Sequence, residues 1–143
     1  MEILVETSGW DAADAALIRE AVGHTLAAEG REGTEISVTL LDDDAIRALN
    51  LRYLGHDRPT DVIAFALGED ADLVGDVYLG FEQAERQAGE HGVPLEHELA
   101  RLAIHGTLHV LGHDHPEGPE RWESPMYRVQ ERLLSEVLEG GAP

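Results

Sequence analysis

The chain has 143 residues, 43% of them hydrophobic and 27% charged, a size and composition that predict one globular domain over residues 1–143. Acids outnumber bases 29 to 10 and the formal charge is −19, which argues against non-specific nucleic-acid binding through bulk charge. There is no cysteine, which excludes disulfides, thiolate metal sites and cysteine nucleophiles and is compatible with the reducing, cytoplasmic location expected here.

The opening MEILVETSGW has neither a basic region nor a long apolar run, so it does not read as a signal peptide. No stretch reaches the roughly 18 apolar residues of a membrane span. Glu2–Thr7 alternates as a short strand. Asp11 to about Ala28 carries alanine and leucine at helical spacing, with Ser8 or Asp11 as cap and Gly30 and Gly33 beyond its end. Glu35–Leu41 (EISVTLL) has β-branched residues at period 2 and predicts a strand. Asp42, Asp43 and Asp44 favour a helix N-terminus by capping and by their charge against the helix dipole, and that helix runs to about Arg52.

Beyond Pro59-Thr60-Asp61, Val62–Ala66 reads as a strand. The acidic loop LGEDADL leads to a further strand at Val74–Leu79 and is short enough for antiparallel pairing. Helices are predicted over Phe81–His91, Leu95–Leu111 (with Pro94 suited to its first turn) and Pro119–Leu138. The closing GGAP is expected to fray. Strand, helix, strand at the start implies a parallel crossover, and the later strand pair a hairpin. The predicted class is α/β (α+β): a small mixed four-stranded sheet covered by about five helices.

Two segments carry chemistry. All ten bases are arginine, and Ala45–Thr60 holds Arg47, Arg52 and Arg58 against the single acid Asp57. This is either a solvated helix and loop or a local anion-binding exception to the acidic surface. His105–His115 reads HGTLHVLGHDH, four of the eight histidines in eleven residues. His105 and His109 are four apart on an unusually apolar helix, so their rings project from one side a turn apart. Gly112 can take positive φ and stop the helix, letting the chain return His115 as a third donor. Three neutral imidazoles with a position left open describe a catalytic zinc site better than a closed structural one, with nickel or another divalent metal also fitting.

His113 is a competing donor two residues from His115, and Asp114 either orients a ligating ring or caps the loop. His24, His56, His91 and His97 have no metal-like spacing. The spacing equals that of the metalloprotease signature HExxHxxGxxH, but Gly106 stands where a protease carries its glutamate base. Glu98, two turns earlier on the same face, is too far along the helix to replace that base.

HGTLHVLGHDH also resembles the HGxLHLxGxDH signature of the YbeY family, bacterial endoribonucleases of ribosomal RNA maturation. LNLRYLGHDRPTDVIAFAL (Leu49–Leu67) resembles that family's LNxxYRxxDxPTDVLSFP, and GDVYLGFEQAERQA (Gly75–Ala88) its GDIxIS block with the helix after it. The resemblance implies a zinc-hydrolase-like fold with a mixed four-stranded sheet, and zinc held by His105, His109 and His115. It further implies metal-dependent cleavage of single-stranded RNA in 16S ribosomal RNA 3′-end maturation and ribosome quality control, with the small ribosomal subunit as partner and no membrane.

Two departures stand out. The family arginine after the motif's aromatic residue is here Leu54, following Tyr53, so Arg52 and Arg58 become the candidate catalytic cations. The family's SFP appears as Ala64-Phe65-Ala66. Two rival readings stand beside the enzyme: a non-catalytic ribosome-maturation factor with a mainly structural metal, favoured by Leu54, and a metalloprotease-like hydrolase, favoured only by the histidine spacing.

Overall fold

A computed structural model describes residues 2–10 and 13–140. Four strands and five α-helices follow in the order β1 (Glu2–Glu6), α1 (Ala15–Ala28), β2 (Glu35–Leu41), α2 (Asp43–Leu54), β3 (Val62–Leu67), β4 (Val74–Gly80), α3 (Phe81–His91), α4 (Leu95–Val110) and α5 (Pro125–Leu138). Single 3-10 turns occupy Asp70–Asp72 and Pro119–Glu123.

The sheet order is β1-β2-β4-β3. β1 and β2 are parallel, with Val5 opposite Val38, as the crossover through α1 requires. β4 lies parallel to β2 on its other side, with Val77 opposite Val38. β3 returns antiparallel to β4, Ala64 opposite Val77, which is the expected hairpin. Alternation along β2 buries Ile36, Val38 and Leu40.

Helix α4 is the keystone of the packing, and it touches α1, α3, α5, β3 and β4. Leu99, Leu102 and Ala103 join the sheet-side core with Ile18, Val22, Val38 and Val77. Ala100, Ile104 and Leu108 form a second cluster with Met126, Leu133 and Val137 of α5. Burying apolar side chains on both sides of one helix, at about 1.5–3 kcal/mol each, holds it rigidly across the molecule. The histidines therefore ride on the most constrained element of the fold.

Two expectations need correction. Helix α1 starts at Ala15, and its cap is Asp14, whose Oδ1 accepts from Leu17 N at 3.0 Å. Ser8 is not the cap; its N–H donates to Glu6 Oε1 at 2.7 Å in the turn before the helix. Asp11, the other expected cap, lies outside the described residues, as do the last three residues of GGAP. The predicted helix Pro119–Leu138 is two pieces. Pro125 disfavours helical geometry at the residue before it, and Ser124 is extended (φ −69°, ψ 154°). Ser124 Oγ then accepts from Tyr127 N at 3.3 Å and opens α5.

Candidate metal centre

The site begins with the end of α4. Gly112 has φ +98°, a conformation natural to glycine, and its N–H donates to His109 O at 3.0 Å. The next N–H, of His113, donates back to Leu108 O at 3.0 Å. The chain reverses there and returns His115 over the helix face that carries His105 and His109. Ring centroids are 4.6 Å apart for His105 and His109, 5.2 Å for His105 and His115, and 5.1 Å for His109 and His115. One ring nitrogen from each of the three lies within 4.8 Å of the others.

The second nitrogen of every ring faces an oxygen. His105 Nδ1 is 2.6 Å from Gln130 Oε1, His109 Nδ1 3.0 Å from the His113 carbonyl, and His115 Nδ1 2.9 Å from the Pro116 carbonyl. A carbonyl oxygen only accepts, so each Nδ1 carries the proton and donates. Gln130 cannot present its amide nitrogen instead, because Nε2 donates to Glu131 Oε2 at 3.0 Å. Each Nε2 is consequently a bare lone pair. Two of them, on His105 and His109, face one another across 3.1 Å. Facing lone pairs repel unless a positive charge sits between them. Tetrahedral zinc, with Zn–N near 2.0–2.1 Å, sets its donors about 3.3 Å apart, so the donor set fits such an ion.

Electrostatics favour the same protonation state. Burial lowers the pKa of His105, opposed by its bond to Gln130, with the charge of Arg121 among the smaller lowering influences. Burial, followed by the proximity of His105 and His115, lowers His109 to about 4. Both rings are neutral at pH 7, the form that binds metal.

Gly106 explains why the protease base is missing. Its α-carbon faces the sheet, and a Cβ placed there would lie 2.5 Å from Val77 Cγ1 and 3.2 Å from Val62 Cγ2. The position has no room for any side chain, least of all glutamate.

The remaining histidine-region residues have other tasks. His113 Nε2 pairs with Glu29 Oε1 at the end of α1, away from the trio. Asp114 Oδ1 accepts from His115 N at 2.9 Å and caps the loop. The ring-orienting partners are Gln130 and two backbone carbonyls. Glu98 is buried and bonded to Arg101 Nη1 at 2.6 Å, with His91 Nδ1 at 3.5 Å.

The three histidines open onto a cleft of about 610 Å³. Its other walls come from the last residue of α2 and the loop after it (Leu54, His56, Arg58), from α3 and α4, and from the Pro119–Glu123 turn (Arg121, Trp122). Tyr127 stands over the trio, its ring 5.5 Å from His105 and 5.2 Å from His115. Burial raises the pKa of its phenol, so it stays protonated and can donate.

A family model described as "Endoribonuclease YbeY" matches residues 5–138. The chain belongs to the YbeY endoribonuclease family. Relatives named Endoribonuclease YbeY include one from Pelotomaculum thermopropionicum, 42% identical over 136 residues (89% of this chain and 88% of the relative). Another, from Carboxydothermus hydrogenoformans, is 43% identical over 121 residues (83% and 82%). The solution structure of TM1509 from Thermotoga maritima is similar at TM-score 0.66 and 30% identity, covering 97% of this chain and 89% of that one.

The YbeY-like blocks meet in space. Asn50, of the LN pair, is buried and its Nδ2 donates to the Arg58 carbonyl at 2.9 Å, holding the arginine-bearing loop at the cleft. Gly80, at the end of the GDVYLG block, donates its N–H to the Asp61 carbonyl at 2.8 Å. A Cβ at Gly80 would lie 2.3 Å from the Thr60 carbonyl oxygen, so the PTD segment seats directly on it.

Leu54, at the YbeY arginine position, lines the cleft and is 53% exposed. Arg58 lines the cleft with it. Arg52 is not among the lining residues; its guanidinium lies 5.2 Å from the centroid of the Tyr53 ring. Two further arginines, absent from the sequence expectation, also line the cleft. Arg101 is committed to carboxylates, Glu98 and Glu131. Arg121 is not: its Nε is buried without a hydrogen-bond partner among the described residues. No spacing in the sequence marks it, because Pro119–Leu138 reads as one helix whose N-terminus would be far from chemistry.

Proposed function

We propose that this protein is a zinc-dependent endoribonuclease that cuts single-stranded RNA, with His105, His109 and His115 holding the ion. The observation that carries the reading is the convergence of three Nε2 lone pairs, each set by an Nδ1–H to oxygen bond, on a cleft in a chain of the YbeY endoribonuclease family. When bound, the ion supplies Lewis-acid charge at the scissile phosphate. The protein keeps the rings neutral and oriented, and Tyr127 adds a donor beside them. Arg58 is the sequence candidate best placed to meet a phosphate in the cleft, and Arg52, beside the Tyr53 ring and outside the cleft lining, is the weaker candidate.

The biological setting we assign is 16S ribosomal RNA 3′-end maturation and ribosome quality control in the cytoplasm, with the small ribosomal subunit as partner, in one catalytic domain. The acidic balance of the chain supports weak binding to naked RNA and action on a strand presented by a ribosomal partner. No helix among the described residues is long and apolar enough to cross a membrane.

The test is cleavage of a single-stranded RNA by the purified protein, with and without chelator, beside His109→Ala. Cleavage lost in both arms, and metal analysis giving one zinc per chain, support the reading. Undiminished cleavage in either arm overturns it. Product ends then separate two routes: a 2′,3′-cyclic phosphate means attack by the RNA's own 2′-hydroxyl, a linear phosphate attack by water.

A second reading, a non-catalytic maturation factor with a structural metal, is favoured by Leu54 at the arginine position. It expects chelation to lower the melting temperature with no activity to lose. The protease reading loses its ground at Gly106, where Val77 leaves no room for a base.

A further inference from the structure

We propose that Arg121 and Trp122 form a nucleotide subsite next to the histidine trio, in which the guanidinium takes a backbone phosphate and the indole stacks a base of single-stranded RNA. The subsite rests on the endoribonuclease reading and adds the residues that place the strand.

Three observations carry it. Arg121 faces the cleft with its Nε buried and unpartnered, whereas most buried polar groups in folded proteins are bonded. The Nε has no protein acceptor among the described residues, and a guanidinium at a cleft wall can offer its fork to a phosphate oxygen. Arg101, in the same cleft, is already bonded to two carboxylates, so it cannot take this task without breaking them. Trp122 is 59% exposed, unusual for the largest apolar side chain, yet it is not loose. Its ring centroid is 5.1 Å from that of Tyr127 and 4.8 Å from the Arg121 guanidinium carbon. Tyr127 in turn contacts the rings of His105 and His115. A fixed, exposed indole beside a free cation, one aromatic ring away from the metal-binding trio, is the pairing that single-stranded nucleic-acid sites use: a stacking platform with charge along the backbone.

The seat is built by the break that divides Pro119–Leu138. The Pro119–Glu123 turn runs from Gly118 (φ +95°) to the extended Ser124, whose Oγ donates to the Arg121 carbonyl at 2.7 Å. A continuous helix would send residues 121 and 122 elsewhere.

The experiment measures binding of a fluorescein-labelled 2′-O-methyl uridine hexamer to the metal-loaded full chain by anisotropy over a salt series. In parallel it measures cleavage of the unmodified hexamer. Trp122→Ala is expected to weaken binding about tenfold or more, and Trp122→Phe to keep most of it. Arg121→Gln is expected to weaken binding and to flatten the logarithmic salt slope by about 0.7, the value for one phosphate on a single strand, with Arg121→Lys between it and wild type. Both positions are surface-lining, and melting temperatures check that each variant is folded. Wild-type binding in Arg121→Gln and Trp122→Ala, with cleavage intact, overturns the subsite and leaves the endoribonuclease reading standing. Equal loss in Trp122→Phe and Trp122→Ala overturns the stacking role. A wild-type chain that neither binds nor cuts RNA overturns both.

Discussion

His105 Nδ1 lies 2.6 Å from Oε1 of Gln130, a residue 25 positions later on a different helix. This bond starts a chain of polar contacts. Gln130 Nε2 donates to Glu131, Glu131 accepts from Arg101, and Arg101 also donates to Glu98. The buried ring on α4 thus has its tautomer and tilt dictated by α5. Gln130→Leu keeps the volume and removes the acceptor. Metal affinity, read by competition with a chromophoric chelator, is expected to fall about 10- to 100-fold, while Gln130→Glu, which retains an acceptor, is expected to lose far less. Equal affinities in wild type and Gln130→Leu would remove Gln130 from the site.

Metal removal is expected to leave a stability signature as well as a catalytic one. A ligand that binds the folded chain and not the unfolded one raises the melting temperature by mass action. Chelator is therefore expected to lower the melting temperature of the wild type and to leave His109→Ala unmoved, since that variant has lost one of three donors. A chelator response of equal size in both proteins would place the metal elsewhere.

Gly106→Ala tests the reason for the missing base. Alanine gains about 1 kcal/mol of helix propensity over glycine, but its Cβ meets Val77 Cγ1 at 2.5 Å. Overpacking of this kind costs about 1–3 kcal/mol, and Val77 is fully buried, so the net expectation is destabilisation. Urea denaturation of Gly106→Ala, Val77→Ala and the double variant closes a cycle. The double variant is expected to be more stable than additivity predicts, because each change relieves the other's fault. Strict additivity would mean the helix moves aside instead.

Acid should weaken the metal-free protein through the histidine trio. Above pH 6.5 the ring of His109 is neutral folded and unfolded, and contributes nothing to the pH slope. Below 6.5 the unfolded ring takes a proton while the folded one, lowered to about 4, does not. The unfolded state then binds more protons, and stability falls as pH drops from 6.5 to about 4, levelling below that. His105, also lowered by burial, adds in the same direction. The check is the urea midpoint of chelated protein against pH. Replacing His109 by Asn should flatten the decline, and an unchanged slope in that variant would show that other groups carry it.

Much of the fold was legible because it is local. Period-2 alternation marked Glu35–Leu41, and a four-residue difference at the N-terminus of α1 (Ala15 against the expected Asp11) was the kind of error that caps produce: Asp14, not Ser8, has its carboxylate at hydrogen-bond reach of Leu17 N. The hairpin of β3 and β4 followed from a short acidic loop. That β4 would lie between β2 and β3 was not legible, since strand order is settled by which apolar faces pack, not by any one strand's residues.

The sequence by itself determined the meeting of the histidines. An i, i+4 pair on an apolar helix, a glycine able to reverse the chain and a third histidine three residues on are consequences of backbone geometry over eleven positions. Tertiary structure alone decided what those rings can do. Gln130 sets the tautomer of His105 from another helix, Val77 forbids a base at residue 106 from the sheet beneath, and the Pro125 break swings Arg121 into the cleft. Each depends on side chains distant in sequence brought within a few ångströms by packing, and periodicity along one segment carries no information about its neighbours in space.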